Sequence, residues 1–239
     1  MRAEGIWHIG HCVMFGLLCL AACTRSTSRW DAEDYQRLTH RTFRHEVIFQ
    51  LPLDFENLDY ARLQAAIFYE TNAVRVRHHR SVLTHRPVLE QVARQYAQRM
   101  VRADFFDHDD PYTVILRTVE DRVRKAGVIN PLPSENLAIY FGIQYKPRVP
   151  AFPLRGQPRQ FSWSRNGPAI PNHTYASLAQ TVVDFWMHSP PHRDNLLAPE
   201  AVELGCGAAF FRDGQGFPKF KLVQVFQWYE PVRWKRPSS

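Results

Sequence analysis

The stretch whose reading decides the fold is FWMHSPPHRDNLLAPEAVELGCGAAFF, from Phe185 to Phe211. Trp186 closes an apolar-periodic run, Pro190 and Pro191 follow, and His192, Arg193 and Asn195 come in quick succession. A proline pair removes backbone donors and forbids helical continuation, so the residues after it are expected in a turn that presents side chains to a cleft. Upstream, Thr174 to Ser189 reads as a helix carrying Leu178, Val182, Phe185 and Trp186. Downstream, Glu203 to Phe211 and Phe220 to Trp228 read as antiparallel strands joined by Arg212-Asp213-Gly214-Gln215-Gly216.

Three more helices are expected before these. Leu58 to Arg80 spaces Tyr60, Leu63, Ile67 and Val74 on one face and starts near Asp59. Pro87 opens the next, where Val88, Leu89, Val92, Ala93, Tyr96, Ala97 and Met100 recur at helical spacing. Thr113 to Ala126 reads as a third, with Ile115, Val119, Val123 and Ala126 in register and Gly127 as its stop. Helices first and strands last predict an α+β layered domain over residues 58–230, followed by a tail at 231–239. Within it, residues 146–171 form a Pro-rich insertion, long for a loop in a compact domain, that is either functional or disordered.

The N-terminus indicates the compartment. Arg2 precedes the apolar run Cys12 to Leu20, which is too short to cross a bilayer and ends in Ala21-Ala22-Cys23, so residues 1–22 read as a signal peptide. Leu20-Ala21-Ala22-Cys23 is similar to the lipobox of bacterial lipoproteins, which implies a lipidated Cys23 and a lipid anchor on the extracytoplasmic side of a bacterial membrane. Thr24 after the cysteine implies, by the sorting rule of such proteins, the outer membrane in a Gram-negative cell. Residues 23–57, polar with scattered aromatics, read as a tether that partly packs on the domain. Cys12 and Cys19 leave with the leader, so no disulfide framework is available, and Cys206 reads as a buried strand thiol. The formal charge of +7 is scattered among acids and suits an anionic envelope surface better than nucleic acid, which is excluded as a partner.

Four stretches now align in order: Glu70 to Arg75, Phe106-Asp107-His108, Ser134-Glu135-Asn136-Leu137-Ala138, and Trp186 to Asn195. Together they resemble the bacterial branch of the CAP superfamily, over Leu58 to Trp228. The resemblance implies an α-β-α sandwich with a central antiparallel sheet. It also answers the question raised by the proline pair, since Trp186, Ser189, Pro190, His192, Arg193 and Asn195 match residues that recur at a helix end in bacterial relatives. By the same resemblance His192 faces a cleft, His108 stands across from it, and Glu135 lies beside both.

Two neutral imidazoles and a carboxylate are a sufficient ligand set for zinc or another divalent metal with an open fourth position, so His108 and His192, with Glu135 as third ligand, are the candidate metal residues. Eukaryotic relatives carry a second cleft glutamate where this chain has Ser189, which joins His108, Glu135 and His192 in the expected binding cleft. Taken without the family pattern, His108 beside Asp107, Asp109 and Asp110 reads as a solvated acidic loop. No Gly-x-Ser-x-Gly elbow, His-Glu-x-x-His helix or nucleotide-binding glycine loop occurs. Three functional classes follow, in this order: a membrane-anchored module that binds an envelope or lipid ligand, a zinc-dependent hydrolase with Glu135 and His192 as its catalytic candidates, and a structural envelope protein.

Overall fold

The two late strands form the centre of the molecule. The structure, a computed structural model, describes Trp30 and residues 34–229; the leader, Cys23 and the tail at 231–239 lie outside the described residues. In chain order the helices are α1 (Asp34–Arg37), α2 (Val47–Gln50), α3 (Tyr60–Arg77), α4 (Pro87–Arg102), α5 (Val119–Lys125), α6 (Tyr175–Met187) and α7 (Pro190–Leu197). The strands are β1 (Thr84–His85), β2 (Pro133–Phe141), β3 (Phe152–Leu154), β4 (Gln157–Ser162), β5 (Ala201–Arg212) and β6 (Pro218–Trp228). Four of them make one sheet in the order β1-β5-β6-β2. The central strand β6 runs antiparallel to both of its neighbours β5 and β2, as expected, but β1 lies parallel to β5, so the sheet is mixed. The parallel edge arises because the chain leaving α3 lays Thr84 and His85 alongside Glu203 and Leu204 before Pro87 starts α4.

Strand alternation builds the layers, because successive side chains point to opposite faces of the sheet. Leu204, Cys206, Ala208, Phe220, Leu222 and Phe226 share one core with α3 and α6. Ala209, Val223, Val225 and Leu137 share the other with α4 and α5. The result is the α-β-α sandwich. Helix α4 lies directly on β5, since a Cβ on Gly205 would fall within the backbone of Leu89 and Glu90, and one on Gly207 within that of Ala93 and Arg94. The Gly-Cys-Gly triplet thus sets the distance between these two elements.

Helix α3 is buried without a break from Arg62 to Asn72, which a helix can be only when covered on all sides. Its outer face is covered by the segment before it: Trp30, Leu38, Phe43, Phe49 and Leu53 are buried in the same core, with the Phe43 ring stacked on Tyr69 at 5.4 Å. Arg44 from this segment also bonds the buried carboxylate of Glu70. The described part of 23–57 is therefore a layer of the core.

Two local expectations are corrected, and of the two readings of the insertion the disordered one is set aside. The helix expected over Thr113 to Ala126 is broken: a 3-10 turn spans Val114–Leu116, and α5 starts anew at Thr118, whose hydroxyl accepts from Asp121 N while the Asp121 carboxylate bonds the Thr118 backbone. Pro190 and Pro191 stop α6 but do not lead into a turn; they occupy the first positions of α7, where a missing N–H costs nothing. The insertion at 146–171 holds the β3–β4 hairpin, and Phe161, stacked on Phe217 at 3.7 Å, joins Ile143 and Ile170 in a small core of its own.

Candidate functional site

Glu135 and Asn136 are neighbours on β2 and face opposite layers. Asn136 is fully buried on the α6–α7 side, where its Nδ2 donates to the His192 carbonyl at 3.1 Å and to Gln224 Oε1 at 3.2 Å. Asn195 Nδ2 donates to Asn136 Oδ1 at 2.9 Å and to the Glu135 carbonyl at 3.2 Å. Gln224 Nε2 in turn donates to Thr71 Oγ1 on α3 at 2.6 Å. These carboxamides fasten α7 to the sheet through its backbone, and α7 carries His192. The Trp186 indole N–H, bonded to the Leu137 carbonyl at 2.9 Å, fixes the end of α6 to the same strand.

Glu135 points the other way. One carboxylate oxygen accepts from Arg122 Nη2 at 2.8 Å and the other meets His108 Nδ1 at 2.9 Å. Arg122 lies over the Tyr96 ring, 3.4 Å from its centroid, and donates to the carbonyls of His108, Leu116 and Arg117. The loop bearing His108 is held again where the Tyr96 hydroxyl donates to the Asp107 carbonyl at 2.7 Å. Arg122 was not picked out by sequence. It sits three residues past Val119 on the apolar stripe that Val123 and Ala126 continue, and a cation on such a stripe calls for a carboxylate.

His108 and His192 line one cleft of about 320 Å³ together with Phe106, Leu137, Ile139 and Phe185. Glu135 stands behind it through His108. Ser189 is not in its lining; it is the residue preceding α7. The hydrogen bond to Glu135 raises the His108 pKa above the ordinary imidazole value, against the effect of partial burial. His192 is pushed the opposite way by burial and by the charge of His108. Among the described residues its buried Nδ1 has no hydrogen-bond partner.

A zinc ion held by His108, His192 and Glu135 together would have to displace a bond that Glu135 already makes. Both Glu135 oxygens are engaged by Arg122 and His108, and His108 has one ring nitrogen left. Among the described residues no three His, Cys, Asp or Glu side chains come together to hold a metal ion.

The layering and the histidine cleft behind a buried Arg–Glu pair define a CAP-type α-β-α sandwich. The chain belongs to the Cysteine-rich secretory protein family (CAP), whose model matches residues 68–226. Among solved structures it is similar to an extracellular protein containing an SCP domain from Bacillus anthracis str. Ames, at 23% identity and a TM-score of 0.49, with 75% of this chain and 45% of that one covered. It is also similar to an outer surface protein of Borrelia burgdorferi, at 18% identity and a TM-score of 0.46, with 76% and 99% covered. A cysteine-rich secretory protein of Staphylococcus aureus aligns at 14% identity and a TM-score of 0.41, over 70% of this chain and 39% of that one. The match thus spans less than half the length of the first and third of these proteins. No curated protein matches the chain significantly. Among the described residues no helix is long and apolar enough to cross a membrane.

Proposed function

We propose that this protein is an extracytoplasmic binding module, anchored to a bacterial membrane through lipidated Cys23, that holds an amphipathic envelope ligand in the His108–His192 cleft. The observation that supports binding over hydrolysis is the bonding of Glu135: with both oxygens engaged by buried or ordered partners, the carboxylate is not free to act as a general base or a metal ligand. The cleft offers Phe106, Leu137, Ile139 and Phe185 to an apolar body and two imidazoles to a polar end, and its volume lies at the small end of ligand sites, which run from about 300 Å³ upward. An acidic head group suits His108, whose charged form Glu135 favours.

The test is equilibrium binding of a fluorescent fatty-acid probe, with peptide, ester and glycan hydrolysis assayed on the same preparation with and without zinc. Binding should saturate and weaken by tenfold or more in the His108→Ala/His192→Ala double variant. Zinc should leave Tm unchanged, and turnover should stay at blank. Zinc-dependent turnover abolished by Glu135→Gln with folding intact would instead establish the hydrolase.

A further inference from the structure

A second cavity, separate from the histidine cleft, opens between α4 and α5. Its volume is about 520 Å³, and its lining carries Arg99, Arg102, Arg122 and Lys125 against one carboxylate, Asp110. Asp110 is already taken by Arg99, whose Nε donates to it at 2.9 Å. Arg122 is committed to Glu135. Arg102 and Lys125 have no ion-pair or hydrogen-bond partner among the described residues, and both are exposed. The site therefore presents an unbalanced positive charge beside the carboxamides of Gln91, Gln95 and Gln98, which supply further donors.

The rim is the second observation. The 3-10 turn Val114–Leu116 contributes Leu116 to the cavity wall and turns Val114 and Ile115 outward, at 81% and 74% exposure. Tyr112, beside Arg99, is exposed as well. Two aliphatic side chains held at the tip of a short turn make no sense of a site for a free inorganic anion, because they gain nothing in water. They suit a site whose ligand brings its own apolar boundary. Cationic side chains next to projecting aliphatic ones are the pattern that binds an anionic bilayer surface, with charge attracting the head groups and apolar groups entering the acyl boundary.

We propose that this face docks on a membrane: the α4–α5 cavity takes the phosphodiester head group of an anionic phospholipid through Arg102 and Lys125, while Val114 and Ile115 insert beside it. The site is independent of the histidine cleft, and its orientation lays α4, α5 and the Val114 turn on the bilayer.

The experiment is co-sedimentation of the full chain with phosphatidylcholine vesicles and with vesicles containing about one-third phosphatidylglycerol. Any contribution of the leader acts in every variant alike, so the quantity read is the preference for anionic vesicles and its change on substitution. Wild type should prefer the anionic vesicles by tenfold or more in dilute buffer and lose most of that preference in concentrated salt. Arg102→Glu/Lys125→Glu should abolish the preference. Val114→Ser/Ile115→Ser should reduce it severalfold with an unchanged melting curve. Two outcomes overturn the proposal: equal preference in wild type and both double variants, or loss only in the charge variant together with competition by free glycerol phosphate, which would make the cavity a soluble-anion site.

Discussion

Arg122 Nη2 lies 2.8 Å from Glu135 Oε2, and the two side chains keep only 7% and 1% of their surface in water. Removing the guanidinium would leave the buried carboxylate with His108 as its one remaining side-chain partner among the described residues. Arg122→Ala is therefore expected to cost about 3–5 kcal/mol, the range for breaking a buried ion pair from one side. Chemical denaturation checks it, and Arg122→Ala combined with Glu135→Gln should recover part of the loss, since it removes the unpaired charge. Equal stability of Arg122→Ala and wild type would show that the pair is dispensable.

His108 should titrate above the ordinary imidazole value of 6.5, because its Nδ1 bonds Glu135. Its folded pKa is raised, so its contribution to stability is complete below 6.5 and disappears as pH rises through the folded value. With 57% of its side chain exposed, the contribution is screened and small. NMR titration of the imidazole in wild type and Glu135→Gln measures it directly, and the Gln variant should titrate lower.

His173 behaves in the opposite sense. Burial lowers its pKa to about 4, so it is neutral in the folded chain while the unfolded chain protonates near 6.5. Stability should accordingly be complete above 6.5 and fall as pH drops from there towards 4, by about 3 kcal/mol at most. His173→Gln, which can keep a bond to Ser177 Oγ, should flatten the pH dependence of Tm in that window.

Gly207→Ala should destabilise by several kcal/mol or prevent folding, because the new Cβ meets the backbone of Ala93 and Arg94, which can yield only if α4 lifts from the sheet. Gly214→Ala, with nothing within 4 Å, is the control and should be neutral. Thermal melts of the two side by side decide the matter.

In the proposed function anchoring rests on one thiol. Cys23→Ala should leave the chain unprocessed and without acyl label, because lipoprotein maturation supplies two or three chains and one alone binds a membrane only marginally. Metabolic labelling and fractionation read both effects, and an unchanged acyl label would rule Cys23 out as the anchor.

Much of the fold was legible because burial follows periodicity in α3, α4 and α6, and because Asp59 and Thr174 cap as their chemistry dictates. Strand β2 was not legible. It is an edge strand with two consecutive polar residues, Glu135 and Asn136, at its centre, and they are buried only because Arg122, His108, Gln224 and Asn195 satisfy them from elements distant in sequence. Helix α7 was hidden for a different reason, since a proline pair reads as a stop from one side and as a start from the other. The two histidines and Glu135 were located by motif order, but the bonding that occupies Glu135 depends on Arg122, which no motif marks.

The amide chain from Thr71 through Gln224 and Asn136 to the His192 carbonyl has a kinetic consequence. The wall of the cleft is tied to the sheet by main chain, so it cannot swing aside to admit a ligand without breaking bonds that belong to the folded core. Most of the ordering entropy of the site is then spent when the chain folds, before any ligand arrives. Encounter should be a single step whose rate follows ligand concentration without a plateau, and differences in affinity among ligands should lie in how slowly each one leaves.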